Sequence, residues 1–327
     1  MKKNMMLLIV ILGVLVTAPG CNETQTPSQT APDTHVPQIE TSAPETQDNC
    51  QENKATDFVY EVNEQDGITI TKYIGDSTDV IIPDTIQGKP VTKIGGFAFV
   101  TDSQLCQITA SEVHFVQMPS TITVIEGYAF KMCTTLTTVI LSENLESIGP
   151  GAFQECKQLK HITIPSQVRT IADQAFESSG LESITFQDGI ETISGYGAFA
   201  CTNVTEIVLP STLKELGNST FAACPNLESV VLNHGLVDIG HKTFVNNPKL
   251  KEIVIPPTVE CITEYDFSMC SGLEKIMFEG NAPSTFQYSD DISGIWEPYD
   301  VHFAIYYHEG AEGFTSPEWY GYSTYIW

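Results

Sequence analysis

The feature that most constrains the fold is a phenylalanine that recurs at almost constant spacing through most of the chain. Successive members are 31, 23, 23, 23, 22, 23 and 23 residues apart. The eight positions are Phe99, Phe130, Phe153, Phe176, Phe199, Phe221, Phe244 and Phe267. A fixed period of this length is typical of repeat proteins, in which each repeat contacts mainly its two neighbours. The sequence therefore predicts a solenoid of stacked coils.

A common phrase surrounds each phenylalanine and is clearest in residues 159–179, LKHITIPSQVRTIADQAFESS. Ile162–Ile164 alternates apolar and polar residues, which predicts a short strand with one face turned inward. Pro165 has no N–H to donate to a sheet, so the strand should end there. Stacked coils would then place such strands about 4.8 Å apart in a parallel sheet.

The second half of the phrase predicts the rest of the coil. Val168 and Ile171 should point inward on the opposite side, and Ala175–Phe176 should close the coil as a helical turn with its ring as a plug. The single spacing of 31 contains eight extra residues, which we expect to form a surface loop near Leu105–Glu112. The predicted fold class is an α/β-type repeat solenoid of mostly short β-strands, with about 23 residues per coil.

Over about residues 80–280, the phrase and its registered Ala-Phe-type anchors resemble the BspA-like subclass of bacterial leucine-rich repeats. The resemblance implies a curved solenoid. It also implies a non-enzymatic role in adhesion to host matrix proteins and to other cells, without naming the target.

The two ends of the solenoid should be capped, because a terminal coil exposes an apolar face. Residues 57–95 are predicted to form an N-terminal cap that begins with a hairpin turning at Gln65–Gly67. The solenoid is predicted over 96–280. Residues 281–327 are predicted to form an aromatic C-terminal cap, with strand-like residues from Val301 to Tyr307 and with Trp319 and Tyr320 as the alternative binding site.

The N-terminal segment reads as an export signal and a tether. Residues 1–20 have a basic start and a short apolar core, too short for a permanent membrane span. Cys21 follows Gly20 as in a bacterial lipobox and is the predicted lipid anchor, although Ala18 stands where lipoboxes usually have Leu. Cleavage by an ordinary signal peptidase is the alternative. Residues 21–56 are rich in Thr, Pro, Gln and Glu and predict a disordered tether.

The charge balance excludes nucleic acid as a partner. The chain has 15 basic and 41 acidic side chains, a net charge of −26. Loss of Lys2 and Lys3 with the signal leaves about −28, and such a surface is repelled by phosphate backbones and anionic lipids. We therefore expect contact with a membrane through the lipid anchor only, in an exported protein held at the bacterial cell membrane or surface.

No pattern of catalytic or metal-binding residues is found in the sequence. Cysteines follow the anchor phenylalanine by three residues in four repeats and by two in a fifth, at Cys133, Cys156, Cys224, Cys270 and Cys201. Packing of a small thiol is the main interpretation, and a bridge between neighbours such as Cys133 and Cys156 is the alternative. His234 and His241 are weak metal candidates, and Asp290, Asp291 and Asp300 form a solvated loop or, alternatively, a calcium site. We expect no enzyme activity, no metal and no cofactor.

The predicted binding site is a pair of outward-facing columns on the strands. One column contains Glu206, Ser229, Glu252 and Lys275, and the other contains Val208, Val231, Val254 and Met277. The second column becomes more apolar toward the C-terminus, although it should face solvent. Strand propensity alone is one explanation; a docking stripe for a matrix or cell-surface protein is the other. A passive spacer in a surface coat and a carbohydrate-binding accessory protein that uses the aromatic cap are the alternative functions.

Overall fold

The computed structural model describes residues 52–103, 107–110, 112–286 and 303–327. These residues form a β-solenoid with about 23 residues per coil, which confirms the predicted repeat architecture. Each coil has a strand in a front sheet, a shorter strand in a back sheet, and a turn that carries the anchor phenylalanine. Within the described ranges, no helix is long and apolar enough to cross a membrane.

The front sheet consists of the strands that the Ile-x-Ile pattern predicts. They pair in parallel within four successive groups, and adjacent groups lie side by side. They are Asp79–Ile81, Phe115–Gln117, Thr138–Ile140, His161–Ile164, Ser183–Phe186, Glu206–Val208, Ser229–Val231, Glu252–Ile255 and Lys275–Phe278. The sheet continues into the C-terminal cap, where Lys275–Phe278 pairs in parallel with Ala304–Tyr307, and that strand pairs with Tyr322–Ile326. Glu318–Trp319 pairs antiparallel with the last strand.

The back sheet lies on the opposite side of the coils. Its solenoid strands are two residues long, namely Val124–Ile125, Ser147–Ile148, Thr170–Ile171, Thr192–Ile193 and Glu215–Leu216. Single bridges at Asp238, Cys261 and Thr285 continue it. Val168 and Ile171 are both fully buried, as the sequence predicts for this side of the coil.

At its N-terminal end, the back sheet begins with the predicted hairpin. Phe58–Val62 pairs antiparallel with Ile68–Tyr73, and Asp66 in the turn has a φ of 60°. Asn63 Oδ1 accepts hydrogen bonds from the backbone N–H groups of Gln65 and Gly67, which fixes the turn. Ile68–Tyr73 pairs in parallel with Lys89–Ile94, and that strand also pairs antiparallel with Thr85–Ile86 and in parallel with Val124–Ile125.

The anchor phenylalanines form one continuous stack through the core. All eight are at most 1% exposed. Ring centroids of consecutive members lie between 4.4 and 6.2 Å apart. Because no coil can bury its own ring, each Phe depends on the coils above and below it.

In the coils before Phe267, the turn that carries the phenylalanine is not the predicted helical turn. In the coil of Phe176, the flanking residues Gln174 and Ser178 both have left-handed backbone, with φ of 56° and 57°. Their N–H groups and that of Phe176 donate to the next coil, at Tyr196, Ala200 and Ala198 respectively, over 2.8–2.9 Å. These bonds alternate with local ones, in which Ala175, Glu177 and Ser179 each donate to the residue three positions earlier, so a continuous helical ladder does not form. The helical segments of the described chain are two short 3-10 turns, Ala55–Asp57 and Glu264–Phe267.

The eight-residue insertion differs from the predicted loop. Its described flanks, Val100–Ser103 and Gln107–Ala110, pair antiparallel as a hairpin. The middle of the insertion, 104–106, lies outside the described residues.

Candidate functional site

The front sheet exposes a row of apolar side chains, here called the front row. Val208 and Val231 are 50% and 49% exposed and are direct partners in the sheet. Val254 and Met277 are likewise partners and are half-buried. The residues before and after each of them point into the core, because side chains alternate along a strand. These four residues are the apolar column predicted from the sequence, and they stand on the solvent side of the sheet.

The front row continues into the C-terminal cap, and this continuation was not predicted from the sequence. Met277 pairs with Tyr306, and Tyr306 pairs with Tyr325. The two tyrosine rings stack with centroids 5.3 Å apart, and Tyr325 is 51% exposed. The front row is therefore Val208, Val231, Val254, Met277, Tyr306 and Tyr325. The strands of Val231 and Val254 are neighbours but do not pair in one ladder. The alternation in the two cap strands is the signal that could have identified the tyrosines.

One side of the front row is bordered by the predicted polar column. Glu206 pairs with Ser229 and Glu252 pairs with Lys275 in the sheet. Lys275 Nζ lies 3.5 Å from Glu252 Oε2, so that carboxylate has a cation beside it. Glu206 is exposed and has no ion pair within the described part of the chain. Its charge is therefore available to a partner.

The other side of the front row is bordered by the residues that follow each strand. His234 Nε2 lies 2.8 Å from Glu279 Oε2, two coils away. Asp188 Oδ1 accepts hydrogen bonds from the N–H and hydroxyl of Ser211, both over 2.9 Å. The front row is thus an apolar stripe between two polar borders, both of which carry carboxylates.

The back sheet offers a different surface. Its outward side chains include an ion pair between Lys214 Nζ and Glu191 Oε2 at 2.8 Å. Arg169 donates from one guanidinium nitrogen to the carbonyls of Ser166 and Gly189. Val237, which directly precedes the bridge at Asp238, is 40% exposed and is hydrogen-bonded through its backbone to Lys214 and Glu260 of the neighbouring coils. An isolated exposed valine is ordinary for a protein surface, which makes Val237 a matched reference for Val231.

The cysteine column has a structural role. Cys156 Sγ donates to the carbonyl of Phe130 over 3.1 Å, and Cys270 Sγ donates to that of Phe244 over 3.0 Å. Each bond joins a coil to the anchor residue of the previous coil. Cys133 and Cys224 are placed in the same way, and all four thiols are buried and unpaired by disulfides. The packing interpretation is therefore correct, and the bridge between Cys133 and Cys156 is not formed.

Burial also makes these thiols poor nucleophiles. It raises the pKa of Cys133 and Cys270 to about 12 and that of Cys224 to about 11. Cys201 was predicted to belong to the column, and this prediction is wrong. Its side chain is exposed, and its backbone adopts a left-handed turn conformation. Thr202 takes its place and donates to the carbonyl of Phe199 over 2.9 Å.

Of the two cap rings that the sequence singled out, one is buried and the other is exposed. Trp319 is 6% exposed and packs 4.5 Å from Phe286. Tyr320 is exposed beside it. Another stacked pair, His308 and Trp327 at 4.7 Å, lies next to the front row tyrosines. Exposed aromatic rings of the cap thus lie both beside the front row, at Trp327, and beside Trp319, at Tyr320.

Several predicted features lie outside the described residues. These are the signal, Cys21, most of the tether, and the acidic loop with Asp290, Asp291 and Asp300. Within the described part, no cluster of three or more His, Cys, Asp or Glu side chains could hold a metal ion.

The repeats match a known family. The model of the BspA type leucine rich repeat region, in six copies, matches residues 73–196 and 195–293. Because these matches span more than half of the sequence, the chain belongs to the BspA-type leucine-rich repeat family. No curated protein matches it.

Solved structures of bacterial leucine-rich repeat proteins are similar to this chain. One from Bacteroides ovatus is 24% identical with a TM-score of 0.51, and the match covers 77% of this chain and 70% of that one. One from T. pallidum is 24% identical with a TM-score of 0.38, covering 72% and 86%. A leucine rich cell surface protein from Faecalibacterium prausnitzii is 19% identical with a TM-score of 0.35, covering 76% and 97%. The Bacteroides ovatus protein supports the solenoid fold.

Proposed function

We propose that this chain is a non-enzymatic, cell-surface leucine-rich repeat protein that binds another protein through its front row. The main support is that Val208 and Val231, which are paired in the sheet, are each about half exposed. Four further apolar residues extend the same row. Exposed apolar side chains are rarely aligned beside one another on the surface of a soluble protein. Contiguous patches of this kind mark sites where partners dock. An extracellular matrix or cell-surface protein is the proposed partner.

The proposal includes an attachment to the membrane through Cys21. The apolar segment ahead of this residue and the Gly20-Cys21 junction support it. The polar stretch of 21–56 would hold the repeats away from the lipid surface. A protein that is displayed in this way and carries an apolar docking row has the features expected of an adhesin.

The front row also separates this proposal from its alternatives. A passive spacer needs no exposed apolar row, and substitutions there would leave every interaction unchanged. A carbohydrate-binding protein would depend on exposed aromatic rings, which in the cap are Tyr320, Tyr325 and Trp327 rather than Trp319. Loss of Val231, which lies four strands from Tyr325 in the row, would then have no effect on glycan binding.

The test compares two variants of the full chain on a panel of immobilised purified matrix proteins. Val231→Lys places a charge in the front row, and Val237→Lys places the same charge on the back sheet at a similar exposure. For any matrix protein that binds wild type, we expect Val231→Lys to weaken the affinity at least tenfold, about 1.4 kcal/mol. Val237→Lys should change it less than twofold. Equal affinities for both variants would refute the front row as the docking site.

A further inference from the structure

The spacing and the charge of the front row restrict what kind of partner segment fits it. The row crosses the coils, so its six residues are separated by the distance between strands, about 4.8 Å. Five such steps give the row a length of about 24 Å. A partner that contacts the whole row must present apolar groups at close to this interval along its own length.

An α-helix meets this requirement better than an extended chain does. A helix that lies along the row presents one ridge of side chains at about 5.4 Å per turn. An extended segment presents side chains to one face every 6.6–6.8 Å, since alternate residues point away at about 3.3 Å per residue. The mismatch with the row is about 0.6 Å per step for the helix and about 2 Å per step for the strand. Over 24 Å, a helix of about 16 residues spans the row.

The border of the row sets the charge of that helix. The positions two and three residues before the apolar residues of the front row carry Glu206, Glu228, Glu252 and Glu274, against the lysines Lys251 and Lys275. Lys275 lies beside Glu252, and Lys249 Nζ lies 3.8 Å from Glu228 Oε1, whereas Glu206 and Glu274 have no ion pair in the described chain. The whole chain carries a net charge of −26. Complementary potentials favour a cationic partner on this surface.

We propose that the front row binds a cationic amphipathic helix. The apolar ridge of that helix would lie on the six front-row side chains, and its lysines or arginines would lie beside the glutamates. This proposal rests on the proposed protein-binding function and names the class of partner segment. A helix of this kind is a recurring recognition element, read through anchors at i, i+3 or i+4, and i+7. The half-buried Met277 and the stacked tyrosines would receive its last turns.

The test uses designed peptides and the full chain. The first probe is a labelled 16-residue peptide with leucines along one helical ridge and lysines on its flanks. The second has the same composition with leucine and lysine in strict alternation, which suits a strand. The third is the first with glutamate in place of lysine. Fluorescence anisotropy at low and at physiological salt measures each affinity.

We expect the helical cationic peptide to bind wild type at least tenfold more tightly than either of the other probes. Val231→Lys should weaken that binding at least tenfold, and Val237→Lys, which changes the net charge equally, less than twofold. Higher salt should weaken the binding as well. Tighter binding of the alternating peptide would overturn the helix in favour of an extended segment. Equal effects of the two substitutions would mean that only overall charge attracts the peptide.

The outcomes separate this inference from the proposed function. If Val231→Lys abolishes binding of a matrix protein while no helical peptide binds, the docking row stands and the helical partner is wrong. If neither the matrix proteins nor the peptides distinguish Val231→Lys from Val237→Lys, both proposals fail.

Discussion

Replacement of one ring in the phenylalanine stack measures how far each coil depends on its neighbours. Phe176 is fully buried, and its ring lies between those of Phe153 and Phe199 at centroid distances of 5.1 and 5.0 Å, nearly parallel to both. Phe176→Ala removes the ring from a site that cannot collapse, because the backbones of the adjacent coils are held together by hydrogen bonds. We expect a loss of about 3–5 kcal/mol in the free energy of unfolding from the transfer and cavity terms.

The assay is denaturant titration followed by circular dichroism, with Tyr196→Ala as a matched control. Tyr196 is an exposed aromatic residue in the turn of the next coil, so its removal should cost no more than about 0.5 kcal/mol. Hydrogen exchange should show that the amides of the coils around Phe176 open first in the variant, since each coil contacts only its neighbours. A loss below about 1 kcal/mol for Phe176→Ala would refute the reasoning that the stack holds the coils together.

Three further predictions concern single groups. Burial raises the pKa of Asp266 to about 6 from an ordinary value of 3.8. The folded chain therefore holds this proton more tightly, and the stability that the group contributes falls as pH rises through that window. Asp266→Asn should remove this slope of stability against pH in denaturant titrations from pH 4 to 7, and identical slopes for both proteins would contradict it. Iodoacetamide at pH 8 should modify the exposed Cys201 while Cys224, whose pKa is about 11, reacts only after unfolding, as peptide mass spectrometry would show; equal rates would refute its burial. Cys21→Ser should move the protein from the detergent phase to the aqueous phase or leave it unprocessed, and unchanged partitioning would exclude lipidation as the anchor.

The sequence was sufficient to predict the coil because the core positions repeat in strict register. The anchor residues, the inward positions of both sheets and the hairpin turn at Asp66 all follow from spacing and residue type. The front valines were also predictable, since Val208 and Val231 hold the same place in the alternation of their strands.

The shape of the turn was not predictable, because its left-handed positions do not carry a glycine signature. Residues as different as Gln174, Met132 and Lys242 adopt positive φ there. They are held by hydrogen bonds to the next coil rather than by their own preference, and such bonds appear only once the coils are stacked.

The extension of the front row into the cap was missed for a related reason. The period ends after Phe267, so the phase of Tyr306 and Tyr325 relative to Met277 cannot be counted along the chain. Only the sheet register joins them. The cysteine column was identified as small residues that pack, but the bond from Cys156 to the Phe130 carbonyl depends on the neighbouring coil and is not visible in a single repeat.

Hydroxyl-radical footprinting of the full chain, with and without a bound matrix or cell-surface protein, tests the docking row most directly. Met277, Tyr306 and Tyr325 lie in the front row, whereas the exposed Met269 and Tyr196 are equally oxidisable residues on the turn side of the coils. If the front row is the docking site, we expect the partner to lower the oxidation rates of the three front-row residues and to leave those of Met269 and Tyr196 unchanged. Protection of Met269 and Tyr196 with full oxidation of the front row would contradict it.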